Sequence, residues 1–434
     1  MKSVTRIHVL SATLFLILSF LLSANSAFAE TKTFIKEYTH HAGDEDSRNS
    51  SRIISLREVK RLILEELGTY LESHTEVKNF QLTKDMITTL TAGIVSTEVI
   101  EDKWNGKEYW LKAKITANPQ DVMKAIDNLR NDRVKVKELD ELRIKTEELL
   151  KENERLNKEL KTAKGDAKQE AAQAYNRNID NLNATEWYEK GYGLGISGNN
   201  TDAEKAFSKA IELNPQYAHA YYNRGTIYGR IGNYQPAIKD FSKAIELNPP
   251  RLAEVYYNRG VAYGKIGNYQ QAIKDFSKAI ELNPQYADAY NNRGVAYGKI
   301  GNTQHAITDY NTAIVLNPQD AMFYFNRGIM YGKIGNTQQE IKDYNKAIEL
   351  NPQDAEVYFN RGVTYGGIGN YQQAINDYSK AIELNPQYAS AYHNRGVAFH
   401  QLGNDERAIE NVKIAARLGD NIAQDLLRSK GIDW

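Results

Sequence analysis

The string Asn-Pro returns at Pro215, Pro249, Pro284, Pro318, Pro352 and Pro386, with gaps of 34, 35, 34, 34 and 34 residues. A fixed period of that size marks stacked supersecondary units and not a globule built around one core. A single unit cannot bury its apolar face alone, so neighbours must cover it, and the product is an extended surface. An extended surface is a place to bind. The period therefore argues for a binding scaffold before any single residue is considered.

Aligned on Asn-Pro and numbered 1 to 34, the chain holds seven units, with Leu252 as one inserted residue between the second and third. Position 4 is aromatic throughout: Trp187, Tyr221, Tyr256, Tyr290, Tyr324, Tyr358 and Tyr392. Position 8 is always glycine, from Gly191 to Gly396, and position 27 always alanine. Position 20 is alanine except at Glu340, and position 24 runs Phe207, Phe241, Phe276, Tyr310, Tyr344, Tyr378 and Val412. Positions 4, 8 and 11 share one face of a first helix, A, and positions 20, 24 and 27 one face of a second, B. Glycine at 8 is expected to let helix A approach alanine at 20. Gly at 15 with Asn at 16 ends helix A. Asn-Pro ends helix B, because proline disfavours helix at the residue before it.

This pattern closely resembles the tetratricopeptide repeat over about 235 residues. The resemblance implies a right-handed α-solenoid with helix A lining a concave face that binds peptides or protein segments. It also implies that positions 2, 5, 6, 9, 12 and 13 of helix A face the groove. Position 6 is Asn223, Asn258, Asn292, Asn326, Asn360 and Asn394 in six consecutive units. A carboxamide carries both a donor and an acceptor, so such a row can pair with an extended peptide backbone. The row resembles the asparagine ladder of the O-linked N-acetylglucosamine transferase superhelix; the competing reading is that asparagine is simply common at this position. Position 5 is Tyr188, Tyr222, Tyr257, Asn291, Phe325, Phe359 and His393. Because the core has aromatics at 4, 11 and 24, this stripe is expected to face the groove as rigid contact surface. Glycine at position 12 is expected to leave the groove wall low. Arg230, Lys265, Lys299 and Lys333 at position 13 add a basic edge, which favours a peptide of acidic or apolar character. The family's clamp for a C-terminal carboxylate needs a basic pair at positions 2 and 5, which this chain does not have.

Two departures recur. Position 7 is arginine in units two to seven, at Arg224, Arg259, Arg293, Arg327, Arg361 and Arg395. Position 23 is aspartate in units two to six, at Asp240, Asp275, Asp309, Asp343 and Asp377. A partly buried guanidinium needs a partner, so an Arg–Asp brace between helices A and B is expected. Glu340, where alanine fits, is expected to strain or splay unit five.

Elsewhere, Lys2 and Arg6 precede an apolar run from Val9 to Leu22 and an Ala27-Phe28-Ala29 site, the order of a secretory signal peptide over residues 1–29. The mature chain is expected to start at Glu30 and to be periplasmic or secreted, with no later membrane segment; an uncleaved signal anchor is the competing reading, although the run is short for a span. Residues 30–124 read as a small α+β domain: a strand over Thr33–Thr39, helices over Ser50–Leu71 and from Thr83, and a hairpin about Asn105-Gly106. The segment Leu62 to Gly68 and the helix-then-hairpin order resemble the N-terminal domain of the flagellar assembly T protein.

Residues 125–183 are charged and free of proline. Leu142, Leu149 and Leu156 form one heptad series, with Leu139, Thr146, Asn153 and Leu160 three residues earlier. Asn153 at such a position favours an in-register parallel homodimer through residues 139–160, while a single solvated helix fits equally well. A flexible linker is expected after Gly165. The repeats occupy 184–420, and 421–434 form a capping helix with Ile422, Leu426 and Leu427 inward.

Several chemistries find no support. The 55 basic and 55 acidic residues balance, which argues against nucleic acid as partner. Without cysteine there are no thiolate metal sites or cysteine nucleophiles. Gly193 to Gly198 spells a dinucleotide motif, but inside a repeat helix and not after a strand. His40 and His41 with Asp44, Glu45 and Asp46 read as a solvated loop. His393 and His400 both face the groove, but stand roughly 10 Å apart, too far for one metal. No catalytic residue, cofactor or metal is expected. The sequence thus reads as an exported protein-interaction scaffold within an envelope assembly. The alternative is a catalytic or metal-binding N-terminal domain with the repeats as a passive docking arm.

Overall fold

The computed structural model describes residues 31–43, 46–73, 95, 97–130 and 133–434. The signal-peptide expectation and the helix expected from Thr83 lie outside the described residues. The chain divides into two compact units, up to Asn233 and from Tyr234 to Trp434.

The first unit opens with β1 (Lys32–His41), α1 (Arg48–Ser73), β2 (Glu98–Trp104) and β3 (Glu108–Ala117). The three strands form an antiparallel sheet in the order β1-β3-β2, with Phe34 opposite Ile115 and Tyr38 opposite Leu111. Side chains alternate along a strand, so Tyr109, Leu111, Ala113 and Ile115 of β3 share one buried face. Helix α1 covers that face with Val59, Ile63 and Leu67. The Asn-Gly turn forms as expected: Asn105 Oδ1 accepts from the Lys107 and Glu108 amides at 2.9 and 2.7 Å, and Gly106 takes a left-handed φ of 91°.

The next stretch differs from expectation. After α2 (Pro119–Arg130), α3 (Arg133–Leu160) turns at Gly165 into α4 (Asp166–Ile196), which runs without a break into helix A of unit one. No flexible linker follows Gly165. Leu149, Leu156 and Leu160 pack against Ala171, Tyr175, Ile179 and Leu182, so the heptad seam is filled by the chain's own α4. Asn153 meets Asn178, whose Nδ2 donates to Asn153 Oδ1 at 2.9 Å and to the Leu149 carbonyl at 2.7 Å. The polar residue therefore sets the register of an intramolecular antiparallel hairpin. The unit closes with α5 (Asn200–Leu213) and α6 (Ala218–Arg230).

The second unit is helical: α7 (Tyr234–Glu246), α8 (Leu252–Lys265), α9 (Tyr269–Leu282), α10 (Ala287–Lys299), α11 (Thr303–Leu316), α12 (Ala321–Lys333), α13 (Thr337–Leu350), α14 (Ala355–Gly367), α15 (Tyr371–Leu384), α16 (Ala389–Gln401), α17 (Asp405–Arg417) and α18 (Asn421–Ser429). The Gly-Asn pair between helices A and B does two jobs. Gly301 adopts φ 81° to end helix A, and Asn302 Oδ1 accepts from the His305 amide to start helix B. Alanines 20 and 27 are fully buried, as at Ala306 and Ala313. A side chain on Gly294 would strike Tyr310 at 2.9 Å, so glycine 8 admits the aromatic at 24; alanine 20 instead lies over glycine 12, as Ala374 does over Gly366. The capping helix forms where expected, but its buried face is Ala423 and Leu427, with Ile422 70% exposed.

Candidate functional site: the helix A face

The position 7 arginines of units three to six are three-way braces. Arg293 Nε and Nη2 donate to Asp309 at 2.8 and 2.7 Å, and its Nη1 reaches back to Ser277 of the preceding helix B at 3.0 Å. Arg259, Arg327 and Arg361 make the same two-pronged bond to Asp275, Asp343 and Asp377. The guanidinium also lies over the position 4 tyrosine, 5.6 Å above Tyr290 for Arg293. Despite burial, the carboxylate partners raise the pKa of Arg259, Arg293, Arg327 and Arg361. In unit seven, Asn411 replaces the aspartate and still accepts from Arg395 Nε at 2.8 Å. There burial dominates, and the Arg395 pKa is lowered. In units three to six the expected brace is present, and with these bonds committed those arginines are structural.

Glu340 does not splay unit five. Helix α13 keeps the same span and the same Asn336 cap as its neighbours. Gly332 leaves the space, because a side chain there would meet the Glu340 carboxylate at 2.6 Å. Thr364, from the next helix A, donates to Glu340 Oε1 at 2.8 Å. Burial raises the Glu340 pKa, against hydrogen bonds from Thr364 and Tyr344.

The position 6 and position 5 rows are wired to each other. Asn223 Nδ2 donates to Tyr188 Oη at 2.7 Å, Asn292 to Tyr257 Oη at 2.8 Å, and Asn326 to Asn291 Oδ1 at 3.0 Å. Each bond joins a unit to the position 5 residue of the unit before it. Phe325 offers no acceptor, so Asn360 turns back to its own Glu356 carbonyl at 2.8 Å. Asn394 hydrogen-bonds Tyr378. Asn258 is half-buried on the same row.

The position 5 stripe is a floor and not an exposed surface. Tyr188 is 1% exposed and Phe325 9%, with Asn291 also buried, while Tyr222, Tyr257, Phe359 and His393 are half-buried. Their rings pack on position 24: Tyr257 on Phe276, Phe325 on Tyr344 and Phe359 on Tyr378, at 5.8 to 5.9 Å between centroids. The expectation that the core was already full of aromatics failed because glycine at 8 opens a slot through which 24 reaches 5. His393 instead stands 3.2 Å from Asp420, the cap of α18, and His400 stands beside Asp405 at the exposed end of its helix.

Unit one carries a feature that position counting did not single out. Its position 6 is Glu189, and Arg57 of α1 donates to it at 2.7 Å while Lys60 holds the other oxygen. These cations override burial and hold the Glu189 carboxyl down at about 2. The one carboxylate in a row otherwise made of asparagine was the signal in the sequence. In the sheet, His40 pairs with Asp46 at 3.0 Å and His41 with Glu108 at 3.0 Å, because successive strand residues face opposite ways. Among the described residues no three His, Asp or Glu side chains gather as a metal site, and no helix is long and apolar enough to cross a membrane.

Models of the tetratricopeptide repeat match residues 218–250, 253–286 and 287–320, and a further one matches 309–342 and 343–376. A TPR repeat model matches residues 196–232 and 368–403. No curated protein sequence matches the chain. Among solved structures it is similar to a tetratricopeptide repeat protein from Parabacteroides merdae ATCC 43184, with 25% identity over 56% of this chain and 97% of that one, at a TM-score of 0.46. It is also similar to YrrB, a TPR protein with an unusual peptide-binding site, at 27% identity over 44% and 97% and a TM-score of 0.38. MamA matches at 27% identity over 38% and 96%, with a TM-score of 0.36. Residues 196–403 of this chain are an array of tetratricopeptide repeats.

Proposed function

We propose that the protein is an exported interaction scaffold that captures a partner protein segment on the helix A face of its repeats. One observation supports this above the others. The face presents a regular row of asparagines above a rigid aromatic floor, next to an aliphatic row at position 9 that includes Val363 and Val397, each 44% exposed. Rigid, part-exposed apolar surface beside fixed polar groups is the composition of a binding patch. Asn223 in the first unit, and Asn258, Asn292, Asn326, Asn360 and Asn394 in the second, then supply polar contacts. Tyr222, Tyr257, Phe325, Phe359 and His393 shape the floor, and Tyr188 closes its first rung.

A photo-crosslinker placed at Val363 tests the reading against one at Val315, a helix B residue 80% exposed. A single partner captured only from Val363, and lost when Asn292, Asn326 and Asn360 are changed to alanine, is expected. Equal capture from both positions would defeat it. Export and an envelope setting belong to the same proposal, and N-terminal sequencing of the mature protein should return Glu30.

A further inference from the structure

In unit one the rung is already occupied. Positions 5, 6 and 9 are Tyr188, Glu189 and Tyr192, and both tyrosines are buried. Arg57 and Lys60 hold Glu189, Arg57 Nη2 donates to the Leu182 carbonyl at 2.7 Å, and both tyrosines share one buried cluster with Leu56, Val59 and Ile63. Arg57 and Lys60 stand three residues apart on one face of α1, so this helix meets the rung with a pair of cations while Val59 and Ile63 cover the sheet.

The second unit offers corresponding chemistry. Val363 and Val397 stand exposed at position 9 of units six and seven. At the N-terminal ends of helices A lie Asp288, Asp320, Asp354 and Glu356, which make no ion pair among the described residues. Capping accounts for Asp320 and Asp354, which accept from the Met322 and Glu356 amides at 2.9 Å, but not for Asp288 and Glu356. Burial, and then repulsion by Asp320, raise the Asp288 pKa above its ordinary value. The asparagines at 292 and 326 have spent an Nδ2 donor on the preceding unit. Asn292 Oδ1 also accepts from Asn291 Nδ2 at 3.1 Å, so the row has fewer free groups to pair with both the N–H and C=O groups of an extended strand.

We propose that the helix A face of units three to seven takes an amphipathic α-helix of a partner protein. Its apolar stripe lies on the position 9 row and its lysines or arginines face Asp288, Asp320, Asp354 and Glu356, as Arg57 and Lys60 of α1 face Glu189 in unit one. This rests on the groove reading above and adds the shape and charge of the ligand. The basic edge expected at position 13 (Lys265, Lys299 and Lys333) stands at the far end of helix A from these carboxylates, and Lys333 Nζ donates to the Gly298 carbonyl at 3.3 Å.

The test uses the full chain and two synthetic amphipathic helical peptides, one of leucine and lysine and one of leucine and glutamate. Binding is followed by fluorescence anisotropy across a salt series. The leucine–lysine peptide should bind one to one, more weakly as salt rises. It should lose roughly tenfold in affinity with Asp288→Asn plus Glu356→Gln, and again with Asp320→Asn plus Asp354→Asn, which keep the helix caps. Val363→Ser with Val397→Ser should abolish binding. If the leucine–glutamate peptide binds as tightly, or the carboxylate variants change nothing, the basic helix is wrong. If that happens while the valine variant still destroys binding, the groove reading survives. If neither peptide binds, this proposal falls and the Val363 crosslinking experiment judges the groove alone.

Discussion

Arg293 and Asp309 stand 16 residues apart and close a two-pronged ion pair, with both bonds under 2.9 Å and both side chains largely covered. Removing one partner strands the other charge. Arg293→Ala should therefore cost about 3 kcal/mol in urea unfolding. Asp309→Asn should cost only about 1 kcal/mol, because Asn411 already accepts from Arg395 in unit seven. Equal losses for the two variants would show that charge, and not the hydrogen bond, holds the brace.

Asn292 and Tyr257 should couple. Asn292→Ala and Tyr257→Phe each remove the same bond, so a double-mutant cycle should return about 1 kcal/mol of interaction energy. Asn360→Ala should be close to neutral, since its amide bonds only its own helix. A zero coupling for the first pair would mean that the wiring between rows adds no stability.

Glu340→Ala should stabilise the array at pH 7. Its folded pKa is raised, so its favourable contribution is present at acid pH, when it is protonated, and is lost as pH rises through the folded value. Thr364 keeps a second bond, to the Asn360 carbonyl at 3.0 Å. The melting temperature should rise at neutral pH by more than it does near pH 4. A drop at pH 7 would mean that the Thr364 bond outweighs the burial of charge.

The first unit should be acid-labile. Burial opposes ionisation of Asp46, but hydrogen bonds from His40, Tyr175 and Gly43 override it and lower its pKa from 3.8 to about 2. Glu189 falls from 4.5 to about 2 through Arg57 and Lys60. For lowered values, the stability is present above the unfolded pKa and is lost as pH falls towards 2. Asp46 alone should account for roughly 2 kcal/mol. Near-ultraviolet circular dichroism should show a transition below pH 4 that Asp46→Asn flattens while lowering stability at pH 7. An unchanged acid profile in that variant would assign the transition elsewhere.

The physical limits of sequence reading show in particular residues. Arg293 and Asp309 could be paired on paper, because one repeat fixes the spacing between helices A and B and an enclosed guanidinium needs an acid. How far the Tyr257 ring stands clear of the floor could not be read, because it depends on how far Phe276 reaches past Gly260. Glu340 looked like a fault because its two accommodations, Gly332 and Thr364, lie on two other helices.

The sequence by itself determined the unit, its two helices, their ends and their braces, since those depend on contacts that recur at fixed spacing. Only the tertiary structure decided what each surface meets. The heptad leucines of α3 found α4, because an antiparallel partner tethered through Gly165 is always at hand. The carboxylate at position 6 of unit one found Arg57, 132 residues away, and no period in the chain encodes that distance.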